Sequence, residues 1–88
     1  MAIARRVLEA GGATATVFNA ANEVAVAFFV DRKLGFAGIA ALVEATIDAA
    51  ERRNATNEPQ TIEDALAVDH IARSLAQDLL PEIAVKSS

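Results

Sequence analysis

Asn19–Val30 reads NAANEVAVAFFV, a polar head (Asn19, Asn22, Glu23) followed by seven residues, Val24–Val30, with no polar side chain. Seven helical positions at about 100° each cover the full circle, so a helix here is apolar on every side. Such a helix belongs inside a protein, with the rest of the chain covering it. The stretch therefore predicts a small all-α fold with this segment as its buried axis.

Working outward, Asn19 is placed to cap the helix, because its side-chain oxygen can accept from an orphan amide in the first turn. Asn22 and Glu23 add acceptors and negative charge at the positive end of the helix dipole. Arg32 and Lys33 suit the other end, and Gly35 is expected to close the helix in a left-handed turn. Upstream, Ala13–Phe18 reads as a connector, since Thr14, Thr16 and Val17 are β-branched. Ala2–Ala10 reads as a short amphipathic helix stopped by Gly11-Gly12. That pattern starts directly after Met1 without a capping residue, which suggests a chain cut from something longer.

Downstream, Phe36 stands between Gly35 and Gly38 and is expected to plug one end of a bundle. The clearest surface helix runs from about Ala37 to Arg53. Its apolar stripe is Ile39, Leu42, Val43, Thr46, Ile47 and Ala50, with Glu44, Asp48, Glu51 and Arg52 turned away. Asn54–Gln60 is the one evident loop, where Pro59 keeps Glu58 out of helical geometry. Thr61 opens a capping-box-like T-I-E-D. Beyond it the apolar pattern slips in phase by roughly 100°, from Ile62, Ala65 and Leu66 to Val68, Ile71, Ala72, Leu75 and Leu79. The slip predicts a break at Ala67–Asp69, with Asp69 capping a last helix that Pro81 ends. Glu82–Ser88 is left as a tail. The predicted architecture is a small four-helix bundle with an extra short helical turn before the last helix.

Composition narrows the function. A chain of 88 residues makes one domain, 1–88, with little margin for an independent core. It has no cysteine, so a disulfide framework and thiolate metal sites are excluded. The net charge is −4 and no basic run exceeds two residues, which argues against nucleic acid as a partner. There is no signal-peptide pattern, and no apolar run approaches the ~18 residues of a membrane span, so the expected setting is cytoplasmic. Alanine fills 21 positions and 53% of residues are hydrophobic. Either apolar surface faces another chain or domain, or alanine inflates the index without forming patches.

No constellation for chemistry appears. His70 is the only histidine, and Asp69 beside it points in a different direction on a helix. Glu58, Glu63 and Asp64 lack the spacing of an oxygen-ligand loop and read as a charged first turn. Asn54-Ala55-Thr56 matches a glycosylation acceptor only by chance in a chain without a secretory signal. An acyl carrier would need a serine at a helix start, whereas Ser74 is mid-helix and Ser87 and Ser88 lie in the tail. Asn19, Asn22 and Glu23 could touch a partner or ligand at a helix N-terminus, but the structural reading, capping, is favoured.

The motifs taken together resemble a known family. N-A-A-N-E-V-A-V-A-F-F at Asn19–Phe29, the preceding Gly11-Gly12, Leu34 and Phe36 leading into Ile39–Glu44, and T-I-E-D-A-L-x-x-D-x-x-A-R at Thr61–Arg73 occur in the same order in the C-terminal domain of 1-deoxy-D-xylulose 5-phosphate reductoisomerase. The resemblance covers about residues 2–80. Departures are mild: Gly38 replaces a frequent Asp before the Ile39 helix, and Ala15 a frequent Pro.

The resemblance implies a homodimeric enzyme of the non-mevalonate isoprenoid pathway that uses NADPH and a divalent cation, Mg or Mn. The nucleotide, metal and phosphate sites of that family lie in other domains. It therefore implies that no catalytic, cofactor-binding or metal residue is carried here, and that Asn19, Asn22, Glu23, Asp69 and Arg73 are a structural signature. The role implied is architectural: a helical domain packed on the catalytic domain, inactive alone. A freestanding interaction module that kept the fold is the competing reading. In either case Phe28→Ala or Phe29→Ala, whichever ring faces the bundle centre, is expected to cost about 3–5 kcal/mol.

Overall fold

The computed structural model describes residues 12–53 and 61–87. Among them are three helices, α1 (Gly12–Val30), α2 (Phe36–Arg52) and α3 (Ile62–Ser87), and no strand. Each helix packs against both others. The all-α expectation holds. The expected Ala2–Ala10 helix and Asn54–Gln60 loop fall outside the described residues, which hold three helices where the sequence predicts four.

α1 starts at Gly12, seven residues before Asn19. The connector expected over Ala13–Phe18 is helix, because its side chains already keep a helical stripe. Ala13, Thr14, Val17, Ala20, Ala21, Val24 and Ala25 are buried, with Phe28 packed against the same core. Tertiary burial of that stripe outweighs the modest helix penalty of Thr14, Thr16 and Val17. Asn19 is therefore an exposed mid-helix residue and caps nothing.

The helix is also not buried all round. Of Val24–Val30, Val24 and Ala25 are inside and Phe28 is half-buried, while Val26, Ala27, Phe29 and Val30 are exposed. Phe28, rather than Phe29, is the ring that faces the bundle.

The end of α1 corrects the role given to Gly35. The amide of Arg32 donates to the Phe29 carbonyl (3.0 Å) and that of Lys33 to the Phe28 carbonyl (2.8 Å). These two bonds form a Schellman closure, and the left-handed residue in it is Arg32, at φ 63°. Gly35 is extended (φ −74°, ψ 164°) and forms the N-cap of α2. Between them Leu34 turns inward, 4% exposed, and closes this end of the core. Phe36, the expected plug, is instead 78% exposed. Gly38 is buried in the first turn of α2 and is not its cap.

α2 matches its sequence pattern. Leu42, Val43, Thr46, Ile47 and Ala50 are buried, joined by Ala49, and Ile39 packs at the edge. The Thr46 hydroxyl donates to the Leu42 carbonyl one turn back (2.7 Å), so its burial leaves no orphan.

α3 is one helix of 26 residues and does not break at Ala67–Asp69. Thr61 is its N-cap: Oγ1 accepts from the Asp64 amide at 3.0 Å. The two apolar phases are reconciled by burying only the second. Ala72, Leu75 and Ala76 are inside, with Val68, Ile71, Leu79 and Ile83 packed against the core. Ile62 and Leu66 stay 80% and 64% exposed. Asp69 and His70 are consequently mid-helix.

Nor does Pro81 end the helix. It sits on the exposed side one turn after Gln77, also exposed, so the Gln77 carbonyl it leaves unbonded can meet water. Leu79, Leu80, Ile83 and Ala84, packed on the core, hold the helix together across it. Residues 82–87, read as a tail, are helical.

The alanine excess has a structural use. Ala20, Ala21 and Ala25 of α1, Ala49 and Ala50 of α2, and Ala72 and Ala76 of α3 all lie in the buried interior. Small side chains at these contacts let the helix axes approach closely.

Candidate functional site

The polar residues singled out from the sequence divide into two groups. α1 carries Glu23, and α3 carries Asp69 and Arg73 one turn apart. The Arg73 guanidinium donates from Nη2 to Glu23 Oε2 (2.7 Å) and from Nε to Asp69 Oδ2 (2.8 Å). One cation thus joins α1 to α3, with Asp69 fixing the direction of its fork. Side-chain exposure is 55% for Glu23, 39% for Arg73 and 33% for Asp69, so the trio lies at the rim of the helix contact. The hydrogen bond to Asp69, and after it that to Glu23, raises the Arg73 pKa above its ordinary value.

Asn19 and Asn22 lie outside this ion network. Asn19 is exposed and Asn22 half-buried, on the side of α1 that also presents Val26, Phe29 and Val30. His70 is exposed on α3. Among the described residues, no group of three or more His, Asp or Glu could hold a metal ion. The two carboxylates that do converge already share a guanidinium, which repels a cation. The described residues thus do not fit a divalent metal. They also show no glycine-rich strand-to-helix turn of the kind that cradles a dinucleotide.

Ala13–Val30 is long and apolar enough, by length and composition alone, to cross a membrane, contrary to the sequence expectation. Here 39% of that window is buried inside the bundle, against α2 and α3.

A family model described as the DXP reductoisomerase C-terminal domain matches residues 1–75. The chain belongs to this family. It is 58% identical to the 1-deoxy-D-xylulose 5-phosphate reductoisomerase of Afipia carboxidovorans over 98% of the chain and 21% of that relative. Identity is 49% to the enzyme of the same name from Rhodopseudomonas palustris strain HaA2, over 92% of the chain and 20% of that relative. With the Bradyrhizobium diazoefficiens protein of that name it is 48%, again over 92% of the chain and 20% of the relative. No solved structure matches. The chain spans about a fifth of the length of the curated relatives it matches.

Two features of the turn between α1 and α2 escaped the sequence. The left-handed Arg32 carries no glycine to announce it. The outward turn of Phe36 was hidden because Leu34, two residues earlier, could fill the same end of the core and does so.

Proposed function

We propose that this chain is the C-terminal helical domain of an NADPH- and divalent-cation-dependent 1-deoxy-D-xylulose 5-phosphate reductoisomerase, cytoplasmic and homodimeric when intact. In that enzyme it supports the catalytic domain without contributing a catalytic, cofactor-binding or metal residue, and residues 1–88 form one domain. One observation carries the reading: nearly all of this chain aligns at 58% identity with only 21% of a reductoisomerase. The geometry agrees with a supporting role. The charged members of the signature, Glu23, Asp69 and Arg73, are engaged with one another between helices.

The test is enzymatic. The 88-residue chain, given NADPH, Mg²⁺ or Mn²⁺ and the sugar phosphate, is expected to oxidise no NADPH. Joined in place of the C-terminal fifth of the Afipia carboxidovorans enzyme, it is expected to give an active protein. Turnover by the chain alone, or an inactive but folded fusion, overturns the proposal.

A further inference from the structure

Among the described residues, the outer side of α1 carries the largest group of neighbouring exposed apolar side chains. Val26, Phe29 and Val30 follow one another at i, i+3 and i+4, and are 41%, 40% and 71% exposed. Phe36, at the start of α2, adds its ring edge-on to Phe29, with centroids 6.0 Å apart and planes at 67°. The four side chains are therefore arranged as a patch, unlike singly scattered exposed residues, which call for no explanation. The contact places both rings outside the core, which Leu34 already closes. The one charged residue of α1, Glu23, is held by Arg73. Other exposed apolar residues differ: Ile62 and Leu66 flank the charged Glu63 and Asp64 at the start of α3, and Val85 lies near the far end of the same helix.

We propose that Val26, Phe29, Val30 and Phe36 form the surface on which the remainder of the reductoisomerase polypeptide docks, with Asn19 and Asn22 at its polar margin. This rests on the reading of the chain as that enzyme's C-terminal domain. The occupant follows from length: the chain accounts for about a fifth of its relatives. The other four-fifths, covalently joined, is present at the high effective concentration that tethering gives. The occupant's facing surface is apolar. The run Val24–Val30 then becomes covered on all sides, its inner half by α2 and α3 and its outer half by the docked domain. The asparagines, neutral and able both to donate and to accept, suit the edge of such a contact without the desolvation that a free charge would bring.

The test uses the double substitution Val30→Lys and Phe36→Asp. A cation at the end of α1 and an anion at the start of α2 both suit the local helix dipoles, so the bundle itself is not expected to lose stability. The 88-residue chain carrying both is expected to melt within about 2 °C of the unsubstituted chain. Amide exchange through the second half of α1 is expected to be at least ~10-fold slower in the fusion with the Afipia carboxidovorans upstream region than in the chain alone. The double substitution in the fusion is expected to abolish that protection. An active fusion whose α1 amides exchange as they do in the chain alone overturns the proposal, as does protection that survives the substitutions. A chain that dimerises by itself through this face, with protection rising with concentration and the fusion unaffected, also overturns it. An inactive fusion defeats the underlying reading, and the proposal with it.

Discussion

Between Gly12 and Val30 the chain carries one charged residue, Glu23; between Phe36 and Arg52 it carries four, Glu44, Asp48, Glu51 and Arg52. The inner sides of the two helices are alike. Each presents a stripe of alanine and branched aliphatic side chains with a buried threonine, Thr14 in α1 and Thr46 in α2. Both helices satisfy the bundle equally, so the bundle does not explain why only α2 has a solvating outer face. The outer face of a helix is shaped by what lies beyond the chain. α2 carries there the charges that suit water, and α1 lacks them, as the docking surface proposed above requires.

The comparison is tested hardest inside the core. Leu42 is fully buried where α2 meets its neighbours. Leu42→Ala is expected to cost about 2–5 kcal/mol, a large share of the total for a chain this small. Phe36→Ala, which removes a larger side chain, is expected to change the isolated chain by no more than about 0.5 kcal/mol, because the ring is 78% exposed. Urea unfolding of the two variants checks both. A Phe36→Ala loss rivalling that of Leu42→Ala would place Phe36 in the core and remove the contrast.

Alanine supplies the next contrast. Ala25 of α1 is fully buried and Ala40 of α2 is exposed. Ala25→Leu forces three extra carbons into a close helix contact and is expected to cost about 1–3 kcal/mol. Ala40→Leu is expected to stay within about 0.5 kcal/mol. Thermal unfolding of the pair separates alanine chosen for close packing from alanine chosen merely as a good helix former.

These contrasts also show how far the sequence could be read. The α2 stripe was legible because its outer residues are charged, which leaves one phase for the core. In α1 a single charge, Glu23, leaves almost no such reference, and the apolar run Val24–Val30 reads as buried all round although only one side of it is. The stripe Ala13, Val17, Ala20, Val24 and Phe28 was present at helical spacing. Two β-branched threonines and the cap-like Asn19 mask it in the sequence. In α3 the phase slip was real, but Ile62 and Leu66 were free to remain outside, so no break was needed. Of the signature residues, Asp69 and Arg73 could be paired from their i,i+4 spacing. Glu23 with Arg73 could not, since 50 residues separate them.

The turn between the two helices offers a stabilising change. Arg32 holds φ 63°, where an L-residue with a β-carbon is about 1–2 kcal/mol worse off than glycine. Glycine also loosens the unfolded chain, which offsets about 0.4–1 kcal/mol. Arg32→Gly is therefore expected to stabilise the chain by up to about 1.5 kcal/mol, seen as a higher urea midpoint with an unchanged slope. A lower midpoint would mean that the guanidinium makes a contact worth more than the strain at its backbone.

The smallest expected effect concerns the single charge of α1. Arg73→Met keeps most of the side-chain stem and removes both ion contacts. The pairs are partly exposed, and such pairs are weak, so the melting midpoint is expected to fall by about 3 °C or less. A raised pKa on a cation stabilises the folded state fully below the unfolded value and ceases to do so only as pH rises through the folded one. Titration of Arg73 therefore leaves its contribution level through the neutral range. Salt is the better probe: the difference between wild type and Arg73→Met is expected to shrink as salt approaches 1 M. Glu23→Gln should share that loss, and a double-mutant cycle should show the two residues coupled. If Glu23→Gln costs nothing and the cycle shows no coupling, Glu23 is not a tie between α1 and α3. It would then belong with Asn19 and Asn22, at the polar margin of the proposed docking surface on the outer side of α1.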